Sequence, residues 1–161
     1  MGASLERNTI INGRYVVDML SPTQHDGYIT YYCTDKQTDS RVMLKEFFPE
    51  YATRDSSGNL QYSQNQEKDM NDFNESHQLA RKFGTLPTVV AVYDIFTKNN
   101  TLYAVCEFVQ GRVVSKLWAK GSGFTFGSVQ RVIENLLRTN EALGRFGMYQ
   151  ADFGPENVII T

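Results

Sequence analysis

The order of strand-like and helix-like segments is the feature of this sequence that most constrains its fold. A single helical stretch, from about Gln66 to Phe83, carries apolar residues at three- and four-residue spacing. Segments rich in β-branched and aromatic residues, which favour strands, lie before and after it: Arg14–Leu20, Ile29–Thr34, Arg41–Phe47, Val89–Phe96 and Thr101–Val109. Five strands with one helix after the third predict an α+β fold, although many α+β proteins share this order.

The segments between and after these elements complete the predicted outline. Residues 51–66 have the composition of a loop, and Lys98–Asn100 that of a tight turn. Two further helices are predicted at Val113–Ala119 and Phe126–Phe146. The sequence ends on an apolar run, Val158–Ile160, with no later strand to pair with it. We therefore expect the polypeptide to have been cut within a fold.

Composition excludes several classes of protein. Of the 161 residues 41% are apolar, which is typical of globular chains, and the formal net charge of −2 gives no reason to expect nucleic-acid binding. No apolar run is long enough to cross a membrane, and the N-terminus lacks the pattern of a signal peptide. Cys33 and Cys106 are too few for a disulfide framework. We expect a cytoplasmic protein.

Four groups of residues carry recognisable chemistry. Val42-Met-Leu-Lys45 lies on the third strand and Glu75 lies in the helix. Glu107-Phe-Val-Gln-Gly111 ends the fifth strand, and Asp152-Phe-Gly-Pro-Glu-Asn157 follows the long helix. Together they resemble the bacterial Ser/Thr protein-kinase family, whose strand lysine, helix glutamate and catalytic loop occur in this order. Lys45-Glu-Phe-Phe-Pro49 in particular is similar to the third strand of bacterial members.

The resemblance implies a protein-kinase-like α+β architecture. Its first part, residues 1–106, would be an N-lobe with a five-stranded antiparallel sheet and one helix. Residues 107–112 would form the hinge, and residues 113–161 the first helices of a helical C-lobe truncated after the catalytic loop. ATP and Mg²⁺ are the cofactors that this resemblance implies, and protein Ser or Thr hydroxyls are the implied substrates.

Catalytic roles follow from the same resemblance. Lys45 would pair the α- and β-phosphates of ATP, and Glu75 would orient it through an ion pair. Asp152 would accept the proton of the substrate hydroxyl, and Asn157 would bind the metal. Without the resemblance, Lys45 and Glu75 would be a surface ion pair, and Asp152 and Asn157 a turn residue and a cap. His77, on the apolar side of the helix, is expected in the core.

Adenine recognition is implied at the end of the fifth strand. The Glu107 carbonyl and the Val109 N–H would bind the edge of the base, with Cys106 behind it and Val42 in the apolar wall. Gly27 would be the remaining glycine of the phosphate-binding loop.

Departures from the family pattern leave two functions open. The glycine loop keeps only Gly27 and contains Pro22, which has no N–H to offer a phosphate. Met43 stands where the family has alanine facing the adenine, and Gln150-Ala151 replaces the His-Arg before the catalytic aspartate. The chain is therefore either part of a protein kinase or a pseudokinase that serves as a binding or scaffold module. An unrelated α+β domain remains a third interpretation.

Overall fold

A computed structural model describes residues 4–22, 25–119, 125–148 and 154–161. These residues form two compact units. The first contains the described residues up to Thr85 together with Val90–Phe108, and the second contains Leu86–Val89 with the described residues from Val109 onward. The boundary in the second half of the chain thus falls directly after Phe108.

One antiparallel sheet of six strands dominates the first unit. Its spatial order is β1-β2-β3-β4-β8-β7, and its strands are β1 (Ile10–Ile11), β2 (Tyr15–Leu20), β3 (Tyr28–Asp35), β4 (Ser40–Phe47), β7 (Val92–Lys98) and β8 (Thr101–Glu107). Each of the five strands predicted from composition is present. The two-residue β1, which pairs with β2 through Ile10↔Val16 and Ile11↔Tyr15, is too short for a composition argument to detect.

Helix α1 (Glu67–Phe83) covers one face of this sheet, where it packs against β7 and β8. Its buried residues are Phe73 and His77, one helical turn apart, so the expectation that His77 lies in the core is confirmed. Alternation along the strands gives each face of the sheet its own apolar core. The core beside α1 contains Phe47, Phe73, Val92, Ala104 and Cys106. The opposite core contains Ile11, Tyr15, Val17, Tyr31, Cys33, Val42, Leu44, Tyr103 and Val105.

The segment predicted as a loop, residues 51–66, contains a β-hairpin instead. Strands β5 (Ala52–Arg54) and β6 (Leu60–Tyr62) pair antiparallel. The turn between them is closed by the Asp55 carboxylate, which accepts the N–H groups of Ser57 at 2.9 Å and Asn59 at 3.0 Å. Gly58 has φ +86, a conformation that favours glycine. The loop prediction was wrong because the turn residues outnumber two very short strands.

A buried polar cluster joins the hairpin to the sheet. The Glu46 side chain is fully buried on the face of β4 away from α1. Its carboxylate accepts hydrogen bonds from Tyr31 Oη at 2.8 Å, Tyr103 Oη at 2.5 Å and Arg54 Nη2 at 2.7 Å. Arg54 also donates to the Gly58 carbonyl at 2.9 Å. Burial raises the pKa of both tyrosines, and the Glu46 charge adds to that effect. The cluster therefore pairs a buried carboxylate with one guanidinium and two phenol donors inside the unit.

The turn between β7 and β8 is as tight as the sequence predicts. Lys98 pairs with Thr101, so only Asn99 and Asn100 lie between the strands. Both have positive φ, +52 and +57, as a type I′ turn requires and as asparagine tolerates. The turn also anchors the hairpin, because the Asn99 carbonyl accepts the Leu60 N–H at 2.9 Å.

The second unit combines helices with a short two-stranded sheet. Its elements are β9 (Arg112–Val113), α2 (Val114–Ala119), α3 (Phe126–Gly144) and β10 (Ile159–Ile160). Strand β10 pairs antiparallel with β9, which precedes it in the chain. The apolar C-terminal run therefore pairs with a strand that precedes it in the chain, which the sequence analysis did not identify. Gly111 permits this pairing, since a Cβ there would lie 2.5 Å from the Ile160 carbonyl oxygen.

Helix α3 is capped at its N-terminus and amphipathic along its length. The Thr125 hydroxyl accepts the Ser128 N–H at 3.2 Å, which satisfies one of the free donors of the first turn. Leu143 is buried, whereas Ile133 and Leu137 are exposed. None of the helices in the described ranges is both long and apolar enough to cross a bilayer.

Replacing Arg54 with methionine tests the importance of the buried cluster. The Arg54 side chain is 8% exposed, and its loss leaves the Glu46 carboxylate buried without a cation. We expect Arg54→Met to lower the free energy of unfolding by about 3–5 kcal/mol in denaturant titrations.

Arg145→Met is the matched control, because the Arg145–Glu141 pair is exposed on both sides. Its loss should change the free energy of unfolding by less than about 1 kcal/mol. An Arg54 variant as stable as the Arg145 variant would contradict the importance assigned to the cluster.

Candidate functional site

The register of β4 determines which side chains accompany Lys45. Successive residues of a strand point to opposite faces, so Met43, Lys45 and Phe47 share the face that α1 covers. Lys45 pairs with Thr30 on β3 and with Ala104 on β8. Directly paired residues project to the same face, which places these two beside Lys45 near the centre of the sheet.

Lys45 is half-buried, and aromatic and weakly polar groups surround its ammonium. Its Nζ lies 4.9 Å from the centroid of the Tyr28 ring, within cation–π range. His77 and Cys106 lie close enough for the charge of Lys45 to lower the pKa of each. No carboxylate of the described residues lies within 4.0 Å of the ammonium. This cation therefore has no ionic partner in the described part of the chain.

Glu75, the expected partner of Lys45, does not reach it. Its side chain is exposed, whereas Phe73 and His77 on either side of it in sequence point to the sheet. Residues two positions from the centre of a buried helical stripe lie away from that stripe, which explains the exposure. The expected ion pair is therefore absent from this arrangement of α1.

His77 fills the place on α1 that faces the sheet near Lys45. Its Nδ1–H donates to the Phe73 carbonyl at 2.7 Å, and its ring lies 4.2 Å from the Phe73 ring centroid to centroid. Burial lowers the pKa of His77 to about 4, outweighing the hydrogen bond to Phe73, and the charge of Lys45 lowers it further. His77 is therefore neutral at physiological pH and adds no charge beside Lys45.

The structure separates Val42 from the rest of the expected adenine-binding residues. Val42 lies on the opposite face of β4 from Lys45, where it is 2% exposed within the core that contains Tyr31 and Tyr103. Val42 therefore does not share the Lys45 face, because residues three apart on a strand face opposite ways. Met43 and Cys106, which pair directly, occupy the Lys45 face instead.

Cys106 is unpaired and almost fully buried, at 2% exposure. Burial raises the pKa of its thiol, and the charge of Lys45 only partly opposes that effect. Reactive cysteines need accessible, acidified thiols. Cys106 therefore acts as a small apolar residue in this face.

The expected hinge residues are divided between the two units. Glu107 ends β8, and its N–H donates to the Ala91 carbonyl at 2.8 Å. Its carboxylate accepts the Ala91 N–H at 3.3 Å, so this side chain braces the chain that leads into β7. In the second unit Val109 is half-buried, and within the described ranges its N–H has no backbone acceptor.

Gly27 lies at the entry to β3, immediately before Tyr28. Its φ of +83 lies in the left-handed region that favours glycine. Its carbonyl accepts the Phe48 N–H at 2.9 Å, which fixes the loop to the residue after β4. Gly27 therefore aims Tyr28 into the sheet.

The expected catalytic loop is described only in part. Asp152 lies outside the described residues. Asn157 is exposed, and its N–H donates to the Gly154 carbonyl at 2.9 Å in a turn. Over the described ranges no group of three or more His, Cys, Asp or Glu side chains could hold a metal ion.

Tyr28 is the residue of this site that the sequence analysis missed. It shares its position parity on β3 with Thr30, so strand alternation alone places both on the Lys45 face. In the sequence this stretch resembles a phosphate-binding loop that has lost most of its glycines, a pattern that says nothing about Tyr28. A parity count across β3 and β4 would have identified the aromatic side chain beside Lys45.

Solved structures superpose on nearly the whole chain. "PpkA-294 apo form" matches with a TM-score of 0.89 at 19% identity, over 99% of this chain. The Mycobacterium tuberculosis PknI kinase domain matches with a TM-score of 0.73 at 14% identity, over 98% of this chain. The chain has a protein-kinase-like fold. The resemblance to protein kinases drawn from the sequence is thereby confirmed at the level of the fold.

One curated protein matches part of the chain by sequence. "Ribosomal protein S6 kinase 2 alpha" from Xenopus laevis is 24% identical over 93 residues, which make up 58% of this kinase-like chain and 13% of that protein. No family model matches the chain. The chain spans 58% of the length of each of the two solved chains.

The burial of His77 predicts how the stability of the kinase-like fold depends on pH. Between the ordinary histidine pKa of about 6.5 and the folded value of about 4, the unfolded chain holds a proton that the folded chain lacks. Stability should therefore fall as pH falls through this window, by up to about 1.4 kcal/mol per pH unit from His77 alone. Denaturant titrations at several pH values measure it.

His77→Gln should flatten this pH dependence, whatever its effect on stability at neutral pH. Equal slopes in wild type and His77→Gln would show that His77 is not buried in neutral form.

Proposed function

We propose that this chain is the nucleotide-binding part of a protein-kinase-like protein that transfers phosphate from ATP to protein Ser or Thr hydroxyls. One observation carries the proposal: a half-buried lysine that has no carboxylate partner among the described residues lies on the central strands of a kinase-like sheet. Holding a cation away from bulk water is costly unless a ligand or partner uses it. A phosphate group is the ligand that fits this fold and this charge.

Lys45 would bind the phosphates as a point charge. An ammonium offers three donors on a flexible stem, which suits phosphate oxygens approaching from several directions. Glu75 would orient Lys45 only if α1 turned to present it to the sheet. We propose that arrangement for the nucleotide-bound state.

The adenine would bind against Met43 and Cys106, with its edge at the chain that follows β8. Both side chains are apolar in character and lie on the Lys45 face. The Val109 N–H, which has no backbone acceptor in the described ranges, would donate to a ring nitrogen of the base. The Glu107 carbonyl would accept from its amino group.

Catalysis would depend on the loop that contains Asp152 and Asn157. Asp152 would accept the hydroxyl proton of the substrate, and the Asn157 amide oxygen would be one ligand for Mg²⁺, which prefers oxygen donors. Bound Mg²⁺ would neutralise phosphate charge during transfer. Both roles are proposed from the resemblance to protein kinases and not from the positions of Asp152 and Asn157.

The second candidate is a binding module of the same fold without catalysis. The exposure of Glu75 and the cation–π contact of Lys45 with Tyr28 favour it, because both leave Lys45 without the partners that phosphate transfer uses. Such a pseudokinase would act through a protein partner and not through a substrate.

For either function we propose a cytoplasmic location. The chain has two buried cysteines without disulfides, Cys33 and Cys106, which suit the reducing cytoplasm.

Calorimetric titration with ATP, ADP and adenosine, with and without Mg²⁺, tests the proposed function. We expect all three ligands to bind, and we expect Mg²⁺ to improve the affinity for ATP little. Lys45→Met should weaken ATP binding modestly and adenosine binding hardly at all, because only the phosphates contact Lys45.

Lys68→Met is the matched control, since Lys68 is an exposed lysine near the start of α1. It should leave all three affinities unchanged. If none of the ligands binds at concentrations up to about 1 mM, the binding-module candidate replaces the proposed one.

A further inference from the structure

The Tyr28 ring lies against the Lys45 ammonium, with its centroid 4.9 Å from Nζ. Tyr28 is the first residue of β3 and pairs with Phe47 on β4, so its side chain projects onto the Lys45 face. Gly27, with its left-handed backbone and its carbonyl bound to Phe48, fixes the point at which the chain enters the strand. The position of the ring is thus set by the backbone and by the pleat of the sheet.

Three neighbours hold the Tyr28 ring in place. The His25 ring stacks on it at a centroid distance of 5.2 Å with the planes 19° apart. The Phe73 ring of α1 lies 6.3 Å away in a tilted arrangement, and Lys45 Nζ lies 4.9 Å from the ring centroid. Contacts from the loop, the helix and β4 therefore restrain one half-buried ring. Burial raises the pKa of Tyr28 to about 12, so the ring stays neutral.

The contact between Tyr28 and Lys45 competes with phosphate for the same ammonium. A cation over an aromatic face is stabilised by the negative charge of the π system, and more strongly where water is excluded. A phosphate oxygen that binds Lys45 must either displace the ring or approach from the side that the ring leaves open.

We propose that Tyr28 determines the ligand preference of this site, favouring adenine nucleosides over their phosphates by engaging Lys45. The proposal rests on the proposed function, since it assumes that adenine binds at this face. The loss of glycines from the loop before β3 would weaken phosphate binding, but it does not involve Lys45, whereas the contact with Tyr28 does. Removing the ring should release Lys45 for phosphate, so the affinity for ATP should rise relative to that for adenosine.

Affinities of adenosine and ATP for a set of Tyr28 variants test this proposal. We expect Tyr28→Ala to raise the affinity for ATP relative to adenosine by about 2- to 30-fold, the range that a cation–π contact covers. Tyr28→Phe keeps the aromatic face and should keep the wild-type ratio. In Tyr28→Ala combined with Lys45→Met the gain should disappear, because Lys45 is its source.

Two further variants control for folding and for loss of an aromatic ring. Tyr28→Leu preserves apolar volume against Phe73 without a π face, and it should reproduce the gain if Tyr28→Ala fails to fold. Tyr93→Ala removes a ring on β7 that is 52% exposed, and the ratio should not change.

The possible failures are distinguishable. If adenosine binds every variant and the ATP-to-adenosine ratio is the same in Tyr28→Ala or Tyr28→Leu as in wild type, the role of Tyr28 is refuted and the proposed function stands. A gain that persists in the Lys45→Met background also refutes that role. If neither ligand binds wild type or any variant, the proposed function fails and this proposal fails with it.

Discussion

The buried carboxylate of Glu46 is the constraint on which the rest of the first unit depends. Its carboxylate accepts hydrogen bonds from one residue each of β3, β8 and the β5–β6 hairpin. These bonds connect both neighbouring strands and the hairpin to a single residue of β4. A register slip of one residue would turn Glu46 to the other face and remove the carboxylate that all three donors share. The polar cluster therefore fixes the register of β4.

That fixed register is what delivers Lys45 to the opposite face. Because neighbouring residues on a strand alternate, the same bonds that hold Glu46 in one core place Lys45 beneath α1 with Tyr28, His77 and Cys106 around it. The buried polar cluster and the candidate site thus lie on opposite faces of β4. Because these neighbours are neutral, the charge of Lys45 can bind a phosphate. The contact with the Tyr28 ring competes with that binding.

Long elements with strong patterns could be predicted from the sequence, whereas short elements and side-chain pairing could not. The five strands, α1 and the Asn99–Asn100 turn follow from composition and period. The β5–β6 hairpin and the pairing of β10 with β9 depend on contacts between residues distant in sequence. Motif spacing pointed to Lys45, but it specifies neither helix rotation nor strand parity, so it did not predict that Glu75 is exposed or that Val42 lies on the other face of β4. Tyr28 was missed for the same reason.

The NMR signals of the Lys45 ε-methylene protons test the central claim most directly, namely that Lys45 lies against the Tyr28 ring and is the residue that phosphate must recruit. Comparison with Lys45→Met assigns these signals in the wild-type spectrum. Our account predicts that they are shifted upfield by the ring current of Tyr28 and move back towards ordinary lysine positions when ATP is added, but not when adenosine is added. Ordinary lysine chemical shifts in the free protein, or shifts that do not change at saturating ATP, would contradict this claim.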